Sequence, residues 1–309
     1  MLTSFFKKSK PINFLLVAVF MSFFYVYTNF LGNVKNFSWS FAVQKIVVLL
    51  LFFMLMFLLN FIVKRNQVTQ KNTFTIALFA VFTAMFTPLL ENGKLLLSAF
   101  LVMLALRRIV SLRSGKAIKS KIFDAALWIS LAAIITPPTF LFLGLVYFGI
   151  ALFCPTNGRN WFLPLLSVIT IFILKTSWDL FFFDQFYIPW QSSALENLGF
   201  EVYNDLNILL PLSVFLAFTI WVIFHYFKKL QALGRKQKPT YYLILASVLT
   251  GIFCILLTPE KNGAEILWLI LPVSIIGANY FQKKSEKWFK ESLLLSLTIL
   301  CFIFLFINF

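Results

Sequence analysis

Lys175 and Asp179 stand four positions apart in "LKTSWDLFF", a spacing that puts an ammonium and a carboxylate on one helix face, where they can pair. Ionisable groups in sequence this apolar are costly and often functional, so Lys175, Asp179 and the intervening Trp178 are candidates for a ligand pocket. The alternative is an interfacial ion pair with a structural role, because a lysine near the end of a span can snorkel to the headgroups. A second acid and base, Glu91 and Lys94, flank Asn92-Gly93 in "FTPLLENGKLLL" and join the same candidate pocket, where the carboxylate has the chemistry of a general base or a cation ligand. Arg107 and Arg108 head a basic run continued by Arg113, Lys116, Lys119 and Lys121. Such runs set topology and attract anionic lipid heads, and the bidentate fork of arginine makes Arg107 and Arg108 candidate lipid-phosphate contacts. Asp124 is expected in the first turn of the next helix, complementing its dipole, and His225 beside Lys228 is expected as an interface residue. Cys154, Cys254 and Cys301 lie far apart without paired spacing, and no Walker motif, nucleophile elbow, metal-binding His pair or CxxC is present. Neither a metal nor a cofactor is expected.

The elements that must position these groups follow from composition. With 61% hydrophobic and only 12% charged residues over 309 positions, the chain cannot coat a water-soluble globule. Runs such as "VVLLLFFMLMFLLNFIV" do not alternate as barrel strands would, and they meet the roughly 20 apolar residues that a helical span requires. The expected fold is all-α, a polytopic transmembrane helix bundle treated as a single membrane domain over 1–309. Helices are expected near 12–31, 41–63, 73–90, 94–110, 122–136, 138–154, 161–182, 206–227, 240–257, 265–281 and 292–309, about eleven in all. The net charge of +16 does not point to nucleic acid, because the basic clusters fall at alternate helix junctions. They put the N-terminus inside and the C-terminus outside, with the first apolar run kept as a helix for want of a cleavage site.

Three Thr-Pro stretches, "FTPLLENG", "ITPPTF" and "LTPEKNGAEILW", then fall at outer turns. Proline ends each helix, and Asn-Gly is expected to supply the positive φ of a tight reversal. The run before "TPP" offers only about 15 residues, some 22 Å, so a short helix pair should leave a cavity above its turn. Between Thr176 and Phe227 there is no Lys or Arg but there are five acids, so 183–205 reads as an external, aromatic, interfacial loop.

From about Asn60 to Pro189 the chain resembles the central part of GT-C-class multi-pass membrane glycosyltransferases. The residues that carry the likeness are "FTPLLENGKLLLSAFLVMLALRRIVSLRSGK", "FDAALWISLAAIITPPTFLFLGLVYF" and "RNWFLPLLSVITIFILKTSWDLFFFDQFY". The resemblance implies a polyprenyl-phosphate-linked sugar as ligand, with Glu91 standing for the second-loop acid of that class. The first outer loop, "NFLGNVKNFSWSF", carries no acid, and the large C-terminal extracytoplasmic domain of the class is not expected here. In length and layout the whole chain resembles an uncharacterised family of polytopic inner-membrane proteins from Bacteroidota, which implies a multi-pass protein of the cell inner membrane. The function expected is binding of a lipid or polyprenyl-phosphate-linked ligand, with catalysis left open, in a pocket shared by Glu91, Asp179, Trp178 and the turn at Pro137 and Pro138. Its competitor is a non-enzymatic scaffold subunit of an envelope secretion, export or motility complex. Partners are then membrane lipids and other envelope membrane proteins. Transport ranks last, since no charge is read at mid-membrane.

Overall fold

A computed structural model of the chain describes residues 2–31, 38–187, 199–259, 261–283 and 286–307. Among the described residues there are thirteen α-helices and no strand. In chain order they are α1 (Leu2–Phe6), α2 (Pro11–Val26), α3 (Trp39–Arg65), α4 (Phe74–Met85), α5 (Thr87–Glu91), α6 (Gly93–Ser111) and α7 (Ile118–Ile135). There follow α8 (Phe142–Phe153), α9 (Arg159–Phe183), α10 (Leu206–Ala232), α11 (Lys238–Leu257), α12 (Leu267–Phe281) and α13 (Lys287–Ile307). Eight stretches among these residues are long and apolar enough to cross a membrane, so the chain is a multi-pass helical membrane protein.

Several boundaries differ from the expected ones: α8 starts at Phe142, α10 runs on to Ala232 and α13 starts at Lys287, and two further differences have a clear cause or consequence. The run at 73–90 is two helices, because Pro88 has no N–H to give to the turn before it and its ring would strike the carbonyl four residues back. The chain instead turns extended at Phe86 (φ −114°, ψ 92°) and restarts as α5 with the proline in its first turn, where no donor is needed. α7 starts at Ile118 rather than near 122, and its 18 residues reach about 27 Å instead of 22 Å. Asp124 is therefore past the first turn and has another role, given below.

The two Asn-Gly pairs of the Thr-Pro stretches also divide. Gly263 has φ 87° and makes the expected reversal. Gly93 does not: it is the first residue of α6, Asn92 caps that helix by accepting the Leu95 N–H at 3.0 Å, and a Cβ at Gly93 would lie 2.8 Å from Val48 Cγ2. Close packing, not turn geometry, keeps that glycine.

The chain divides into two compact units, one of Met1–Leu96, Phe200–Leu233 and Lys261–Phe309, the other of Leu97–Gly199 and Gly234–Glu260. In the first unit every residue of α4 and of α12 is buried. A helix buried on all sides is a core helix; α2, α3, α10 and α13 pack around this pair, and α1 packs on α13. Phe82 sits 5.0 Å from both Phe215 and Phe218. α3 shows what lies outside the core: Phe52, Leu55, Leu59 and Ile62 are buried, while Val43, Val47, Leu50, Met54, Phe57 and Phe61 form an exposed stripe at helical spacing. Both stripes are apolar, as a helix between protein and lipid requires.

In the second unit α7 supplies Ala125, Ala126, Ile129 and Ala132, all fully buried, and small residues of this kind let backbones approach closely. α9 packs along α7, and Ser167 Oγ donates to the Phe123 carbonyl at 3.1 Å between them.

Candidate functional site

α7 ends where Thr136 turns extended (φ −132°, ψ 97°) ahead of Pro137-Pro138, and a 3-10 turn, Pro137–Leu141, leads to α8. Above this turn, in the second unit, lies a cavity of about 290 Å³ between the end of α7 and α9. Ala133 and Ile134 form one wall, Pro137 and Phe140 the floor, and Ile169 and Phe172 the opposite wall. Two residues bring polar atoms: Ser130, whose hydroxyl is already committed to the Ala126 carbonyl at 2.9 Å, and Tyr187.

Tyr187 reaches the cavity because α9 stops abruptly. Asp184 adopts the left-handed conformation (φ 53°), and the Asp184 and Gln185 amides fold back onto the Leu180 and Asp179 carbonyls at 3.3 and 3.5 Å. The reversed chain lays the Tyr187 ring 6.1 Å from Phe172, and the Lys175 ammonium stands 5.3 Å from the centre of the Tyr187 ring. Lys175 Nζ also donates to Asp179 Oδ1 at 2.5 Å, both side chains being half-buried. Burial raises the Tyr187 pKa; Lys175 opposes the shift and Asp179 adds to it. The phenol stays protonated at neutral pH and serves as a hydrogen-bond donor.

Of the candidate residues, Lys175 and Asp179 come together beside the cavity rather than in its wall. Trp178, 57% exposed, packs its ring on Phe182 at 4.3 Å and does not line it. Pro137 lines it, while the Pro138 carbonyl accepts from Cys254 Sγ at 3.1 Å. Glu91, the last residue of α5, and Lys94, in the first turn of α6, are exposed and belong to the first unit. Arg108 is paired with Asp124 at 2.9 Å, which gives Asp124 its role as an ion-pair partner across the α6–α7 connection. Arg107 precedes it on α6. His225 is exposed, its Nδ1 2.9 Å from the Trp221 carbonyl on its own helix. Residues 188–198 of the expected external loop lie outside the described residues.

Two further residues stand outside the candidates named above. Tyr187 falls in an expected loop, and only its place three residues after an aspartate able to end a helix in the left-handed region marks it. Glu265 is 2% exposed in the first unit; it accepts from the Tyr203 hydroxyl and from the Asn262 N–H at 3.2 Å, while Asn262 Oδ1 caps the Ala264 N–H at 3.0 Å. "NGAE" is thus a reciprocal cap before α12, a signature legible in the sequence. It fastens the 3-10 turn Glu201–Asn204 to the start of α12.

Coupling of Lys175 to Asp179 is expected to be modest, because both side chains keep some solvent. A double-mutant cycle of Lys175→Ala and Asp179→Ala on thermal stability in detergent should give about 1 kcal/mol. Additive losses would show that the two do not interact.

With only helices among the described residues and eight candidate spans, the chain is a multi-pass membrane protein with an apolar cavity between the end of α7 and α9. The chain belongs to DUF6427, a family of unknown function, which matches residues 1–309. No curated protein and no solved structure matches the chain.

Proposed function

We propose that this is a protein of the cell inner membrane, with its Lys7 end in the cytoplasm, that binds a polyprenyl-phosphate or similar lipid-linked ligand without transforming it. The observation that carries the proposal is the cavity of about 290 Å³, apolar except for Ser130 and Tyr187, with the Lys175 ammonium held over the Tyr187 ring. Its size is near the lower end of small-ligand pockets, about 300–1,000 Å³, so it takes a few branched apolar units at a time. On this orientation the Pro137 turn faces outward, and the cavity accepts the tail from the outer leaflet. The Tyr187 hydroxyl and the Lys175 ammonium, shared with Asp179, meet the phosphate. The resemblance of residues 60–189 to GT-C enzymes supports the ligand class, and the lack of an acid in the first outer loop supports binding over catalysis. The test is a titration of the full-length protein in nanodiscs with a fluorescent polyprenyl phosphate. Binding should saturate, and Lys175→Ala should weaken it about tenfold, the size of one charge-assisted hydrogen bond. Absence of saturable binding, with a stoichiometric protein subunit retained on purification, would favour the scaffold.

A further inference from the structure

α1 closes the first unit against α13. The Leu2 N–H and the Thr3 hydroxyl both donate to Glu291, at 3.1 and 3.3 Å, and the Phe6 carbonyl accepts the Thr73 N–H at 2.9 Å. Beside this contact lies a cavity of about 240 Å³ lined by Lys7, Lys283, Lys287 and Lys290. Against these four cations the lining holds one carboxylate, Glu291, already engaged by α1. Glu286, just before α13, accepts from the Tyr280 hydroxyl at 3.4 Å. Lys290 is 2% exposed and places one of its three N–H groups on the Lys283 carbonyl at 2.8 Å. The first turn of α13 carries Lys287 and Lys290 and no acid, the reverse of what its dipole favours. An anion in the cavity would offset both the crowded ammonium groups and the helix dipole.

The same two helices carry a second concavity. On α1 and just after it, Thr3, Ser4 and Lys7 line the basic cavity, whereas Leu2, Phe5 and Phe6 line an apolar groove of about 480 Å³. On α13 the order is successive: Lys287, Lys290 and Glu291 line the basic cavity, then Leu294, Thr298 and Phe302 line the groove. A phosphate site continued within one helix turn by an apolar trough has the polarity of a phospholipid. We propose that the α1–α13 face is a binding site for an anionic phospholipid, its phosphate among the four lysines and an acyl chain along Leu294, Thr298 and Phe302. Basic recesses between membrane helices suit such head groups, and each lysine adds to the attraction. This site is independent of the cavity at Pro137.

The test is native mass spectrometry of the full-length protein in neutral detergent, with added phosphatidylglycerol, phosphatidylcholine or inorganic phosphate. One phosphatidylglycerol should bind in preference to phosphatidylcholine. Replacing the three exposed lysines together, Lys7→Gln, Lys283→Gln and Lys287→Gln, should weaken it about a hundredfold. The control Arg235→Gln, Lys236→Gln and Lys238→Gln removes equal charge elsewhere and should leave it intact. Thr298→Trp, which fills the groove, should lose the lipid while the lysines remain. Equal binding of both lipids, or equal loss in the control, would overturn the site. Occupancy by inorganic phosphate with no effect of Thr298→Trp would overturn the lipid assignment.

Discussion

Gly277→Val is expected to be the most damaging single change in the first unit, lowering stability by about 3 kcal/mol, the upper part of the range for overpacking. A Cβ at Gly277 would stand 2.8 Å from Leu78 Cδ1, closer than real Cβ atoms come, and 3.0 Å from Phe218 Cζ, tighter than most Cβ contacts. Neither neighbour has room to retreat. Leu78 lies on α4, buried along its whole length, and Phe218 is fixed between Phe82 at 5.0 Å and Phe281 at 6.4 Å. The helices themselves would have to separate, and in a bilayer dispersion attraction of this kind is much of what holds helices together. Gly144 is the control: nothing lies within 4 Å of its added Cβ, so Gly144→Ala should be neutral or gain about 0.5–1 kcal/mol from helix propensity. Thermal unfolding in detergent compares the two. Equal behaviour would show that the close approach of α12 to α4 and α10 is not needed.

The second large effect is expected at Ala133. This residue is half-buried and lines the cavity above Pro137, so a phenylalanine there has empty space to enter. Ala133→Phe should leave the fold intact yet weaken the binding of a polyprenyl phosphate tenfold or more, because the ring takes the volume the isoprenoid needs. Ala132, one position earlier, is fully buried, and Ala132→Phe should instead cost stability. Binding measured beside melting temperature separates the two. Unchanged affinity in Ala133→Phe would place the ligand elsewhere.

Much of the helical skeleton is legible because apolar length is a strong signal, and the long runs around 41–63, 161–182 and 206–227 fold as α3, α9 and α10. What hydropathy cannot tell is which face meets protein. On α3 the buried and exposed stripes are equally apolar, so the distinction comes from partners far away in sequence. Helix starts are less legible. Lys119 and Lys121 read as loop, yet they belong to α7, with Lys121 Nζ donating to the Ser111 carbonyl at 2.8 Å. The pairing of Lys175 with Asp179 is legible because it is local, at i and i+4. Tyr187 is not, since its position depends on a left-handed turn at Asp184 that no period announces. Lys229 reads as a topology marker, but it also donates to Asn279 Oδ1 at 2.5 Å, tying α10 to α12.

On the proposed function, the recess between α7 and α9 is filled by the tail of a lipid-linked ligand. Photo-crosslinking tests it most directly: a polyprenyl phosphate with a diazirine in its first isoprenoid units is irradiated with the full-length protein in nanodiscs, and labelled peptides are identified by mass spectrometry. Label on 130–140 and 168–172, reduced by unlabelled polyprenyl phosphate and lost in Ala133→Phe, is the predicted result. Label spread over the exposed stripe of α3, indifferent to competitor and to Ala133→Phe, would contradict it.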